Sequence, residues 1–301
     1  MSFCLLPEEV LEIIVGYLQD SFWPPAESVI TNWNNYPSPE AQHDLGSLSL
    51  VCRTLHRIIA PRLMKSIVHD FSGKKPDQHA PYQVRYQWLS PQSFPWKQFP
   101  PSIQFLYLQD LLHYTDPVVE IKDMVGLLRS LSGSLEVLVA RGFCASVLIH
   151  TLSLDIYTEV KSLKTLKIYA HTINVGAFFA VLRTFPNLLG LTLDTANIED
   201  FSLDPKVPPV PLTSTKVTHL EICTRLYTVL ECIRPVVSLF TSSHIETLLL
   251  TFRNRFPQDL LSMKLQSLKT LFISTYAYTT PNFWESDILS NVKASITLWN
   301  V

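Results

Sequence analysis

The sequence predicts an α/β chain: a helical segment over residues 1–64, then over 65–301 a curved solenoid with a parallel strand ladder on its concave side and helices on its convex side. Three observations predict it. A short motif, apolar-x-x-apolar-x-apolar, recurs through the last two-thirds of the chain. Segments of helical periodicity separate its copies, and two further apolar runs at helical spacing precede them.

The motif copies are Ile103-Leu106-Leu108, Leu135-Leu138-Ala140, Leu163-Leu166-Ile168, Leu188-Leu191-Leu193, Val217-Leu220-Ile222, Ile245-Leu248-Leu250 and Leu268-Leu271-Ile273. Their first positions lie 32, 28, 25, 29, 28 and 23 residues apart, and a partial copy follows at Ile296 and Leu298. Alternate residues of a strand face opposite sides, so the last two apolar positions of each copy share one face. One such strand cannot bury that face alone, so the copies must stack. The intervening stretches Val118 to Leu131, Val175 to Phe185, Val229 to Phe240 and Phe256 to Met263 read as helices. A doubly wound open sheet shares the alternation of strand and helix. The uniform strand motif and the lack of a glycine-rich strand-to-helix turn favour the solenoid. Met64 to Phe71 reads as an early strand joining the helical segment to the repeats. Pro205, Pro208, Pro209 and Pro211 make residues 204–212 an extended connector.

At the N-terminus, Pro7 suits the start of a helix, and Glu8 and Glu9 suit its positive end. Val10, Leu11, Ile13, Ile14, Tyr17 and Leu18 spread over roughly 140° of that helix, and Val15 widens the arc toward about 200°. So broad an arc exceeds what one packing neighbour covers. The helix is therefore expected to face its own chain and another protein at once. A second helical region is expected from Asp44 to Met64, with Leu45, Leu48, Val51, Leu55, Ile58, Ile59 and Leu63 at helical spacing. Between the two, residues 21–43 read as an inserted loop in which Phe22, Trp23, Trp33 and Tyr36 stand among Pro24, Pro25, Pro37 and Pro39.

Composition excludes several functions. A formal net charge of -2 provides no basic field for nucleic acid. Five scattered cysteines, with no CxxC pair, offer neither a disulfide framework nor a zinc site and suit a reducing compartment. No apolar stretch approaches the ~18 residues of a membrane span, and the acidic N-terminus lacks the basic start of a signal peptide. The expectation is a soluble intracellular chain, cytoplasmic or nuclear. No HExxH, G-x-S-x-G or phosphate-binding glycine loop occurs, so no catalytic, cofactor-binding or metal residue is assigned. His219, Glu221 and Cys223 alternate along one strand and read as its exposed side.

Leu6-Pro7-Glu8-Glu9-Val10-Leu11-Glu12-Ile13-Ile14 and Leu48-Ser49-Leu50-Val51-Cys52-Arg53 resemble the two halves of an F-box. The repeats after them resemble the longer, irregular variety of leucine-rich repeat. Together they resemble a fungal-type F-box protein. The resemblance implies a non-catalytic substrate receptor of an SCF-type cullin-RING ubiquitin ligase. Leu6, Pro7, Val10, Ile14, Leu48, Val51 and Cys52 would pack on a Skp-type adaptor, itself joined to cullin and RING subunits, or hold the helices together. The alternative is a leucine-rich-repeat scaffold without ligase coupling. In the ladder, the third, fifth and seventh positions of each copy line the concave side. Aromatic and basic side chains most often anchor protein partners, so Phe105, Tyr107, Arg141, Lys167, Tyr169 and Phe272 are the candidate substrate contacts.

Overall fold

The structure is a computed structural model and describes residues 6–22, 39–63, 66–70, 103–110, 121–153, 160–199, 216–224, 245–252, 267–275 and 296–300. Among the described residues, its first part is a unit of three helices, α1 (Glu8–Phe22), α2 (Pro39–Ser49) and α3 (Arg53–Leu63). They enclose a core of Leu11 and Val15 from α1, Leu45 from α2, and Leu55, Ile58, Ile59 and Leu63 from α3, with Leu18, Leu48 and Cys52 packed against it. Val10 and Leu11 both donate their amides to the Pro7 carbonyl at 3.1 Å, which starts α1 one residue after the proline. Arg57 of α3 donates to the Glu8 carboxylate in the first turn of α1.

The helical region expected from Asp44 to Met64 is made of two helices, with a break at Leu50–Cys52. A rod of that length runs about 30 Å without turning and cannot lay both halves on one short partner helix. The break brings Leu45 and Ile59 into one core with Leu11. Locally, the amides of Leu50 and Val51 reach back three residues, to the carbonyls of Ser47 at 3.1 Å and Leu48 at 3.2 Å. That tightening, with the Ser49 hydroxyl donating to the Gly46 carbonyl at 2.6 Å, closes α2. The expected loop at 21–43 is also shorter than read: α1 runs to Phe22 and α2 begins at Pro39. Its remaining residues, 23–38, lie outside the described residues.

The second part is, among the described residues, a parallel sheet of nine strands whose spatial order is the chain order. The strands are β1 (Ser66–Asp70), β2 (Phe105–Asp110), β3 (Val137–Gly142), β4 (Thr165–Asn174), β5 (Gly190–Glu199), β6 (His219–Thr224), β7 (Thr247–Phe252), β8 (Thr270–Thr275) and β9 (Ile296–Asn300). The order never reverses, as it would in a doubly wound sheet, and is compatible with a solenoid. The strand expected at Met64 to Phe71 and the partial copy at Ile296 form the first and last strands. Helices α4 (Ile121–Ser130), α5 (Phe143–Ser153) and α6 (Val175–Thr184) connect β2 to β5. The helices expected at Val229 to Phe240 and Phe256 to Met263, and the proline-rich connector, lie outside the described residues.

Register explains why the motif recurs. Leu106, Leu138, Leu166, Leu191, Leu220, Leu248 and Leu271 are successive cross-strand neighbours, and so are Leu108, Ala140, Ile168, Leu193, Ile222, Leu250 and Ile273. With the first motif positions, Ile103 to Leu268, they form one continuous core that also takes Met124, Leu127 and Leu128 from α4, Leu148 and Leu152 from α5, and Val181 from α6. Ahead of the strands, a single carbonyl accepts two successive amides from the next copy. Gln104 takes Glu136 and Val137, Glu136 takes Lys164 and Thr165, Lys164 takes Leu189 and Gly190, Leu189 takes Thr218 and His219, Thr218 takes Glu246 and Thr247, and Glu246 takes Lys269 and Thr270, all at 2.8–3.0 Å. Backbone pairing therefore carries the stacking beyond the strands. Side-chain pairs along this edge, Lys164 to Glu136 at 3.1 Å and Lys269 to Glu246 at 2.8 Å, are partly exposed and contribute little beside it.

Helix α5 has no counterpart among the expected helices. Cys144, Ala145, Val147, Leu148, Ile149 and Leu152 are all buried, because the helix sits between α4, α6 and the strands β2 to β4. Of its described side chains only Ser146 and His150 are exposed, a polar stripe too narrow for periodicity to reveal. It follows β3 without a loop, the chain turning at Gly142 with φ of 67°, a conformation that glycine adopts without a Cβ penalty.

A central rung should be costly to hollow out. Leu220→Ala removes a fully buried side chain from the middle of the ladder, and is expected to lower stability by about 2–5 kcal/mol in urea unfolding.

Candidate functional site

The outer surface of the three-helix unit carries the apolar side chains that its core does not use. Leu11 and Val15 of α1 point inward, while Leu6, Val10, Ile13 and Tyr17 recur at three- and four-residue spacing and form an exposed stripe. Tyr17 keeps 75% of its surface exposed and Ile13 59%. At the corner between α2 and α3, Leu50 is 82% exposed and Val51 56%. The broad apolar arc expected of α1 thus splits into an inward half and an outward half. Isolated exposed leucines are ordinary, but a helical stripe together with an apolar corner on one small unit has the composition of a partner surface.

The expected adaptor residues divide along the same line. Leu6, Pro7, Val10 and Val51 are exposed, and Ile14 is half-buried. Leu48 and Cys52 pack on the helical core, so they hold the helices rather than face outward. Ile13, Tyr17 and Leu50 are the outward residues that the sequence reading did not assign. The helical phase of Val10, Ile13 and Tyr17 could have found the first two. Leu50 is exposed because the helix breaks beside it, which no periodicity shows.

The sheet face opposite the main core carries the third and fifth motif positions. At its β2–β3 end Phe105, Val137 and Val139 form a second buried apolar cluster, flanked by Tyr107 and Tyr169. Across β4, β5 and β6 the same rows turn polar: Lys167, Thr192 and Glu221 are cross-strand neighbours, and one rung away Thr165, Gly190 and His219 are too. All these polar side chains are buried, Lys167 to 1% exposure. The Thr192 hydroxyl donates to the Glu221 carboxylate at 3.1 Å. Burial pulls the Lys167 pKa below the usual lysine value, with the Glu221 charge opposing that shift. His219 is pushed down to about 4, mostly by burial and further by the Lys167 charge.

This face differs from the expected open surface. Phe105 and Lys167 are enclosed, Tyr107, Tyr169 and Phe272 are half-buried, and only Arg141 of the six candidate contacts is exposed. His219 and Glu221, read as the exposed side of a strand, are buried and Cys223 is half-buried. A strand's polar alternation marks its second face but does not say whether that face meets water. Arg141, in register with Tyr169, stands where the rows emerge at the ends of the strands. Among the described residues no group of three His, Cys, Asp or Glu side chains could hold a metal ion, and no helix is long and apolar enough to cross a membrane.

In comparisons with known proteins, the chain matches no family model and no curated sequence. The fold and the two surfaces therefore stand on their own geometry: a three-helix unit with an outward apolar stripe, and an all-parallel α/β ladder in chain order.

Proposed function

We propose that the chain is the substrate-receptor subunit of an SCF-type cullin-RING ubiquitin ligase, with the three-helix unit acting as an F-box and the parallel ladder as an irregular leucine-rich-repeat solenoid. The observation that carries this reading is the apolar stripe Leu6, Val10, Ile13 and Tyr17 with the corner Leu50 and Val51, displayed by a helical unit that already has a core of its own. A Skp-type adaptor is the partner that the sequence resemblance supplies for such a stripe, and through it come the cullin and RING subunits. In this reading the chain performs no chemistry. It contributes proximity, holding a protein substrate where ubiquitin is transferred.

On the repeats, Arg141 with its neighbour Tyr169 is the substrate contact that the geometry favours, because Phe105 and Lys167 are enclosed. Arg141→Glu should reduce substrate capture several-fold and leave the unfolding midpoint unchanged, since an exposed substitution of this kind alters stability by about 0.5 kcal/mol or less. Co-purification of the full chain with a Skp-type adaptor tests the reading directly. A stable complex supports it. A well-folded chain that captures no adaptor at micromolar concentration overturns it and leaves a repeat scaffold without ligase coupling.

A further inference from the structure

Across β3 to β7 the third motif positions form one register row, Val137, Thr165, Gly190, His219 and Thr247. Gly190 alone among them has no side chain. A glycine inside a paired strand weakens it and marks a place where something approaches the backbone closely. Backbone conformation does not require it here: Gly190 keeps its pairing on both sides, and the glycine with positive φ among the described residues is Gly142. The side chains that flank it are buried, Thr165 to 1% exposure and His219 to 5%. The Thr165 hydroxyl and both ring nitrogens of His219 are without a hydrogen-bond partner. Neighbouring strands lie about 4.8 Å apart, so the Cα atoms of Thr165 and His219 stand roughly 10 Å from one another with the glycine between. Two residues along β5, on the same face, the Thr192 hydroxyl donates to Glu221 and its oxygen can still accept.

We propose that the gap over Gly190 is a hydration site: it binds a water molecule held by the Thr165 hydroxyl, a nitrogen of the His219 ring and the Thr192 oxygen. Three polar partners is the usual number for a buried water, whereas apolar gaps stay dry. The donors and acceptors match. A neutral imidazole offers one acceptor nitrogen, so the water donates to it and to Thr192 and accepts from the Thr165 hydroxyl. Leaving these buried groups without partners costs more than immobilising the water. The water then links β4 to β6 at the one row position where β5 has no side chain to do so. The site lies wholly within these three strands and holds whether or not the chain couples to an adaptor. An alanine methyl at position 190 would take the water's place and offer no hydrogen bond. A serine hydroxyl would take it and offer one.

The test compares urea unfolding of the full chain as wild type, Gly190→Ala and Gly190→Ser. In an ordinary strand alanine is the more stable residue, because glycine loses more backbone freedom on folding. Here Gly190→Ala should instead raise the unfolding constant by about tenfold or more, since it expels the water and strands Thr165 and His219. Gly190→Ser should recover at least half of the shift in midpoint. An alanine variant at least as stable as wild type overturns the proposal, because nothing has been displaced. A serine variant that recovers less than half also overturns it, because the gap then has no place for a hydroxyl. If either variant fails to fold, water cross-peaks at the C2 proton of His219 in the wild-type chain decide by NMR. Cross-peaks with the sign of a long-lived water support the site, and their absence overturns it.

Discussion

On the proposed function, Val10→Asp is expected to weaken capture of a Skp-type adaptor by about a hundredfold or more while the chain keeps its fold. Val10 belongs to the outward stripe and is not part of the helical core. Burying a valine against a partner is worth about 1.5–3 kcal/mol, and a carboxylate in its place must also be desolvated. A loss of about 2.8 kcal/mol is a hundredfold in affinity. The next residue supplies the control. Leu11 is buried, and Leu11→Ala should lower stability by about 2–5 kcal/mol through the cavity it leaves. Isothermal titration and thermal unfolding of both variants separate the two effects. An adaptor affinity unchanged by Val10→Asp would remove the stripe from the interface.

Lys167→Met should destabilise the chain by about 3 kcal/mol, and pairing it with Glu221→Gln should recover most of that loss. Lys167 and Glu221 attract one another across β5 on a face where both are buried. Removing one leaves the other charged and uncompensated in a poor solvent, which for buried pairs costs about 3–5 kcal/mol. The lower end applies here because Glu221 keeps the Thr192 hydrogen bond. Removing both charges leaves nothing to compensate, and Gln can still accept from Thr192. A double-mutant cycle in urea measures the coupling. Single and double variants of equal stability would show that the pair carries no net interaction. Since burial outweighs the attraction at Lys167, the folded lysine gives up its proton at lower pH than the unfolded one. Its contribution therefore becomes more favourable as pH rises toward 10.5.

Much of the architecture could be read from spacing. The three apolar positions of every motif copy are buried together, from Ile103 to Ile273, because stacked strands in one register leave a repeated pattern in the chain. The start of α1 was legible for a local reason, proline followed by two glutamates at a helix N-terminus. Helix α5 was not, because it is enclosed on several sides and its exposed stripe, Ser146 and His150, is too narrow to read. The break at Leu50–Cys52 was not, because Leu45 through Leu63 keep helical spacing across it. The candidate surfaces were partly legible: Leu6, Val10 and Val51 were assigned to a partner and are exposed, whereas Phe105 and Lys167 were assigned to one and are enclosed.

The sequence by itself determined which residues form strands, that these strands lie parallel in chain order, and which face of each meets the helices. Those features follow from a local period repeated often enough that a single register satisfies every copy. Only the tertiary structure decided where the helical region of residues 44–64 breaks, which half of the α1 arc is turned outward, and that Lys167, Glu221 and His219 on the second sheet face are buried. Burial of a second face depends on its surroundings in three dimensions, which leave no periodicity in the strand itself.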